Sequence, residues 1–134
     1  MKRSIIMGAA VCVLGLLIGL GPQFLLKGCA HGNARPLCFW SLQAEIGIGL
    51  LIAALGICMF AFDDPKTQLG LAISTFLAGI VALFIPYSLI GGCKGAEMAC
   101  RRIAFPAITV ESVILVLFSA LIVVYIELKK PKAV

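Results

Sequence analysis

The sequence predicts an all-α membrane protein: a four-transmembrane-helix bundle built from two tandem helical-hairpin repeats, with both termini cytoplasmic. Three observations predict it. The 134 residues are 62% hydrophobic and 13% charged, with a mean hydropathy of +1.14, whereas a soluble domain is about 45–50% apolar and about 25% charged. Four stretches are each long enough to cross a hydrocarbon core of about 30 Å. The second half of the chain also repeats features of the first at an offset of 64 residues. Eleven Lys and Arg with six Asp and Glu are too few to coat a soluble globule of this size, which excludes an ordinary water-soluble enzyme and a disordered tail.

The first span runs from Ser4 to about Leu20, extendable to Leu26, without Asp, Glu, Lys or Arg. Lys2-Arg3 before an apolar run has the form of a signal segment, and Leu26-Lys27-Gly28-Cys29 resembles a lipoprotein cleavage box. Lys27 fits that box poorly, so the segment is expected to be retained as a span. The second span runs from about Leu42 to Phe62 with one charge, Glu45. The third runs from about Gln68 to Ile90 with none, and the fourth from about Ile103 to Ile126 with Glu111 alone. Each is too long and too evenly apolar for a strand, and backbone in lipid must pair internally, so all four are helices. Asp63 to Thr67 joins the middle spans, and loops of roughly 20 and 12 residues join the others. No soluble domain fits between them, and residues 1–134 form one domain with repeats at 1–62 and 66–127.

Orientation follows from charge and sulfur. With the termini inside, Lys2, Arg3, Lys66, Lys129, Lys130 and Lys132 are cytoplasmic, and Lys27, Arg35, Lys94, Arg101 and Arg102 lie outside. Six against five decides little under the positive-inside rule, but the inner charges sit hard against the span ends. Cys29, Cys38, Cys93 and Cys100 all fall in the two loops opposite the termini, and loop cysteine pairs suit an oxidising compartment. The protein is therefore expected in the cell membrane, multi-pass, with its cysteine loops extracytoplasmic.

The repeat pairs Lys2 with Lys66, Gly15 with Gly79, Pro22 with Pro86, Gly28 with Gly92 and Cys29 with Cys93. Such spacing implies two hairpins related by an axis along the membrane normal. Proline removes a backbone donor and disfavours helix before it, so Pro22 and Pro86 are expected to kink or end the two ascending helices as elbows leading to Cys29 and Cys93. The outer cysteines then read as two structural disulfides. The repeat favours Cys29–Cys38 with Cys93–Cys100, and cross-bridging is the rival pairing. A redox-active pair is a further possibility, although neither pair has the Cys-x-x-Cys spacing. A soft-metal site involving His31 and Met98 would need ligands converging from two loops. Cys12 and Cys58, inside spans, read as small apolar residues.

Glu45 and Glu111 carry the most chemistry. An ionisable group within a span costs several kcal/mol against lipid, so it faces the bundle interior or a water-filled cavity. Glu45 is expected about 5–8 Å below the interface at about 1.5 Å per residue, with Gln43 and Thr109 available to the same polar patch. The competing assignment is a pairing with Arg101, Arg102 or Lys94 at the rim, or a helix-dipole contact. Phe39 and Trp40 fit an interface anchor, and Gly15, Gly19, Gly47 and Gly49 fit close helix packing. No phosphate loop, nucleotide fingerprint, metalloprotease motif or Ser-His-Asp set is present. That points away from an enzyme, and the charge, spread over both faces, points away from nucleic acid. The sequence specifies no cofactor.

The string Cys38-Phe-Trp-Ser-Leu-Gln-Ala-Glu45-Ile-Gly-Ile-Gly, with Pro86-x-x-Leu-Ile-Gly-Gly-Cys93, Met98-Ala-Cys100 and Pro106, resembles a small bacterial and archaeal four-span membrane family of unknown function, domain of unknown function family 4418. The resemblance covers nearly the whole chain and carries no catalytic residue across. Some members are encoded beside exporter-type ABC transporter genes, which implies an accessory role. The leading expectation is thus a small accessory subunit of a larger membrane complex, an ABC-type exporter for example, with a disulfide-capped outer face. Its partners would be the lipid bilayer and another membrane protein or a second copy. The alternatives are a membrane thiol–disulfide or quinone-linked oxidoreductase, and a small proton- or cation-coupled transporter using Glu45 and Glu111.

Overall fold

The computed structural model describes residues 2–25, 37–89 and 105–129. All of the regular structure in these residues is helical: α1 (Lys2–Leu25), α2 (Leu37–Ala61), α3 (Pro65–Phe84) and α4 (Phe105–Lys129), with a five-residue π-helical turn, Ile85–Leu89, continuing α3. The helices have 24, 25, 20 and 25 residues. At about 1.5 Å per residue they are about 30–38 Å long, enough to cross a hydrocarbon core.

The elements differ from their sequence expectations mainly at their ends. α2 starts at Leu37, five residues before the expected Leu42, so Cys38, Phe39 and Trp40 lie in its first turn rather than in a loop. α1 runs through Pro22 to Leu25, placing that proline in the last turn instead of at the helix end. Pro86 falls within the π-helical turn, where a helix without a regular backbone ladder tolerates a missing donor. The turn into α3 is built as its residues dictate. Asp64 is the N-cap and accepts from Thr67 N at 3.4 Å and Thr67 Oγ1 at 3.2 Å, with Pro65 in the first turn.

Close packing runs between α1 and α2, α2 and α3, α3 and α4, and α1 and α4. The four helices therefore form a ring, with α1 and α3 on one diagonal and α2 and α4 on the other. Buried positions recur every three or four residues. On α1 they are Ser4, Gly8, Val11, Gly15, Ile18 and Gly19, and on α4 Ile108, Ser112, Leu115, Ser119, Ile122 and Ile126. This is the spacing of bundle packing.

Size and polarity are distributed inside out relative to a water-soluble bundle. The interior is rich in Gly, Ala, Ser and Thr, whereas Leu16, Leu50, Phe60, Leu77, Leu117 and Leu121 are exposed. An outer surface of large apolar side chains suits hydrocarbon, and small inward residues let the helices approach. All four helices are long and apolar enough to span a membrane. The described charges outside the interior cluster at one end: Lys2, Arg3, Asp63, Asp64, Lys66, Glu127 and Lys129.

The α1–α2 contact is backbone against backbone. A Cβ placed on Gly49 would lie 2.5 Å from Gly19 Cα, one on Gly56 2.5 Å from Cys12 N, and one on Gly15 2.6 Å from Ala53 N. The α3–α4 contact is looser, because Gly79 faces the side chains of Val116 and Leu115.

Candidate functional site

Six polar or charged residues are buried among the described ones: Ser4, Glu45, Gln68, Thr75, Ser112 and Ser119. Thr75 and Ser119 bond back to carbonyls of their own helices. The others lie on the inward faces of the ring and fall into two groups with different chemistry.

The group near the charged end is fully hydrogen-bonded. Ser4 Oγ donates to Met59 O at 3.0 Å, and Gln68 Nε2 donates to Met59 O at 3.2 Å, to Phe62 O at 3.0 Å and to Ser4 Oγ. Carbonyls in the last turn of a helix lack intrahelical donors, and Gln68 supplies them for α2 while bridging the α1–α3 diagonal. Nearby, Arg3 donates to the Tyr125 hydroxyl and Lys129 Nζ lies 5.7 Å from the Tyr125 ring centroid, tying the start of α1 to the end of α4.

The group at the other end is unsatisfied. Glu45 is 0% exposed, and neither carboxylate oxygen has a hydrogen-bond partner. Oε2 of the half-buried Glu111 and Oγ of Ser112 are likewise buried and unpartnered. Glu45 and Glu111 lie within electrostatic reach of each other across the α2–α4 diagonal. α1 shows that they share a level: Gly19 abuts Ile46 and Gly49 of α2, and a Cβ on Gly21 would lie 3.6 Å from Glu111 Oε1. With α2 starting at Leu37, Glu45 lies about 12 Å along the helix at about 1.5 Å per residue, two residues into the apolar span Gln43–Ala61.

Gln43 is exposed and does not join the pair, since two residues along a helix turn a side chain through about 200°. Thr109 shares a hydrogen bond of 2.9 Å with the Tyr87 hydroxyl. Trp40 is exposed in the first turn of α2. Cys12 and Cys58 carry free thiols, half-buried. Cys29, Cys93 and Cys100, with His31, Met98, Lys94, Arg101 and Arg102, lie outside the described residues, as do the side chains of Cys38, Phe39, Pro22 and Pro86. Ser112, Ser4 and Gln68 belong to the two groups although sequence reasoning passed over them. The signal for Gln68 and Ser112 is a seven-residue spacing, Gln68 to Thr75 and Ser112 to Ser119, which places each pair on one helix face.

Chemically, the second group is two carboxyl groups and a hydroxyl with four buried oxygens that have no hydrogen-bond partner, in a place where uncompensated charge is costly. Such a set calls for positive charge, carried as protons or as a cation. No curated protein and no solved structure matches the chain significantly. The family model described as "Domain of unknown function (DUF4418)" matches residues 11–125. That match covers most of the chain, including all the described interior except Ser4, Gly8 and Ile126, and this four-helix membrane protein therefore belongs to the DUF4418 family.

Proposed function

We propose that this protein is a small proton- or cation-coupled membrane transporter whose working groups are Glu45 and Glu111. One observation carries the reading: a carboxylate with 0% exposure and two unpartnered oxygens lies within electrostatic reach of a second carboxylate inside a bundle of helices long enough to span a membrane. Structural carboxylates at such depth are paired with a cation or with hydrogen-bond donors. An intramembrane carboxyl pair left open instead suits reversible loading with positive charge.

The proposed setting retains the tandem hairpins, with termini cytoplasmic and the cysteine caps, Cys29–Cys38 and Cys93–Cys100, outside. Two matched contacts support the repeat. A Cβ on Gly15 approaches the backbone of Ile52, and one on Gly79 approaches Val116, each partner shifted by the same 64 residues. A site of this kind serves equally in a free-standing transporter and in an accessory subunit of a larger complex, and co-purification from mild detergent separates the two.

The test is flux in liposomes carrying the purified chain, under an imposed ion gradient. The wild-type chain moves protons or cations above the rate of empty liposomes, and Glu45→Gln, which keeps the shape but not the charge, falls to that background. Equal flux in wild type, Glu45→Gln and Glu111→Gln overturns the reading, as does wild-type flux no greater than that of empty liposomes.

A further inference from the structure

We propose that Glu45, Glu111 and Ser112 form a binding site for a hard divalent cation between α2 and α4. This rests on the preceding reading, that the carboxyl pair holds positive charge, and specifies what carries it.

Charge balance is the first argument. When both are ionised, the two carboxylates carry two negative charges, and no basic residue is buried among the described residues. One divalent ion restores neutrality, whereas one monovalent ion leaves a net charge stranded in a low-dielectric interior. Donor type is the second. The unpartnered atoms are Glu45 Oε1 and Oε2, Glu111 Oε2 and Ser112 Oγ, all oxygen, the ligand type that Mg²⁺, Ca²⁺ and Mn²⁺ take. No three His, Cys, Asp or Glu converge among the described residues, so the third side-chain ligand is the hydroxyl. Water completes the shell, as Mg²⁺ commonly requires.

Ser112 supplies the third and most specific argument. Ser74, Thr75 and Ser119 each donate to the carbonyl four residues back, at 2.9, 2.8 and 2.8 Å. Back-bonding of this kind is how a hydroxyl within a helix is ordinarily satisfied. Ser112 is 0% exposed and does not do so. A buried hydroxyl without a partner is costly, and one residue from Glu111 its oxygen is available to a cation.

The experiment is Mn²⁺ binding to the purified full-length chain in detergent, read as loss of the free-ion electron paramagnetic resonance signal. Wild type takes up one Mn²⁺ per chain. Mg²⁺ and Ca²⁺ displace it, and Na⁺ at matched ionic strength does not. Glu45→Gln and Glu111→Gln weaken binding by at least about 100-fold, and Ser112→Ala by about tenfold, the range seen when groups supporting a metal site are removed. Circular dichroism establishes that each variant keeps its helices. Wild-type chain that takes up no Mn²⁺ at millimolar concentration overturns the inference without reference to any variant. Undiminished uptake in both Gln variants also overturns it, because the ion then sits elsewhere, at Asp63 and Asp64 for instance. If Mn²⁺ fails to bind but liposome flux still depends on Glu45, the carrier is a proton or a monovalent cation and only the divalent assignment falls. If that flux is absent too, the transporter reading falls with it.

Discussion

Glu45 and Gln68 occupy the same ring interior and are treated oppositely by it. Gln68 meets carbonyl oxygens that need donors, and Glu45 meets none. The first is therefore a structural clasp. Gln68→Ala removes donors from Met59 O and Phe62 O and is expected to cost about 1–2 kcal/mol, the scale of interhelical hydrogen bonds in membranes. Unfolding in mixed detergent micelles measures it. Unlike Glu45→Gln, this change should leave ion flux per folded molecule intact. Both carboxylates were legible in the sequence, because a lone charge in an apolar run has few explanations. Gln43 was misplaced because proximity in sequence is not proximity on a helix. Ser112 was hard to single out because hydroxyls are common in spans: its spacing from Ser119 gives a shared face, and only its missing back-bond distinguishes the two.

Among the elements, the α1–α2 hairpin is the most tightly determined. Gly8, Gly15, Gly49 and Gly56 permit contacts that no other residue allows. Gly49→Ala would push a methyl into the Gly19 backbone and is expected to destabilise the hairpin by at least about 1–3 kcal/mol, the cost of overpacking. A methyl on Gly47 or Gly70 would meet open space, with nothing within 4 Å, so alanine there should be neutral or stabilising by up to about 1 kcal/mol through helix propensity. The same micelle unfolding assay on the three variants checks the ordering. The sequence announced the glycines but not which ones touch, since Gly47 and Gly49 differ only in helix face. The start of α2 was harder to read. Cys38-Phe39-Trp40 has the look of cap material because of its cysteine, whereas the helix-start signal is Pro36 directly before Leu37.

For the molecule as a whole, the exposed apolar surface decides the environment. Large apolar side chains face outwards along every helix, while the interior mixes Gly, Ala, Ser and Thr with Ile, Leu and Met. Composition was enough to establish this class, because 62% hydrophobic residues cannot be hidden inside 134. Composition could not establish which helices sit diagonally, since the ring order depends on contacts between spans distant in sequence. The ring sets the two polar groups on different diagonals, Ser4 with Gln68 on α1 and α3, Glu45 with Glu111 on α2 and α4. One end is thus closed by hydrogen bonds and the other carries the open carboxyl pair.

The convergence of Glu45 and Glu111 across the bundle is the claim on which this arrangement depends. Its most direct measurement is cross-linking in native membranes of a chain bearing Glu45→Cys and Glu111→Cys, with its natural cysteines replaced by serine, by a short bifunctional thiol reagent. The arrangement predicts an intramolecular cross-link joining α2 to α4, and a much weaker one when Gln43→Cys replaces Glu45→Cys. Equal cross-linking from positions 43 and 45, or none from either, would contradict it.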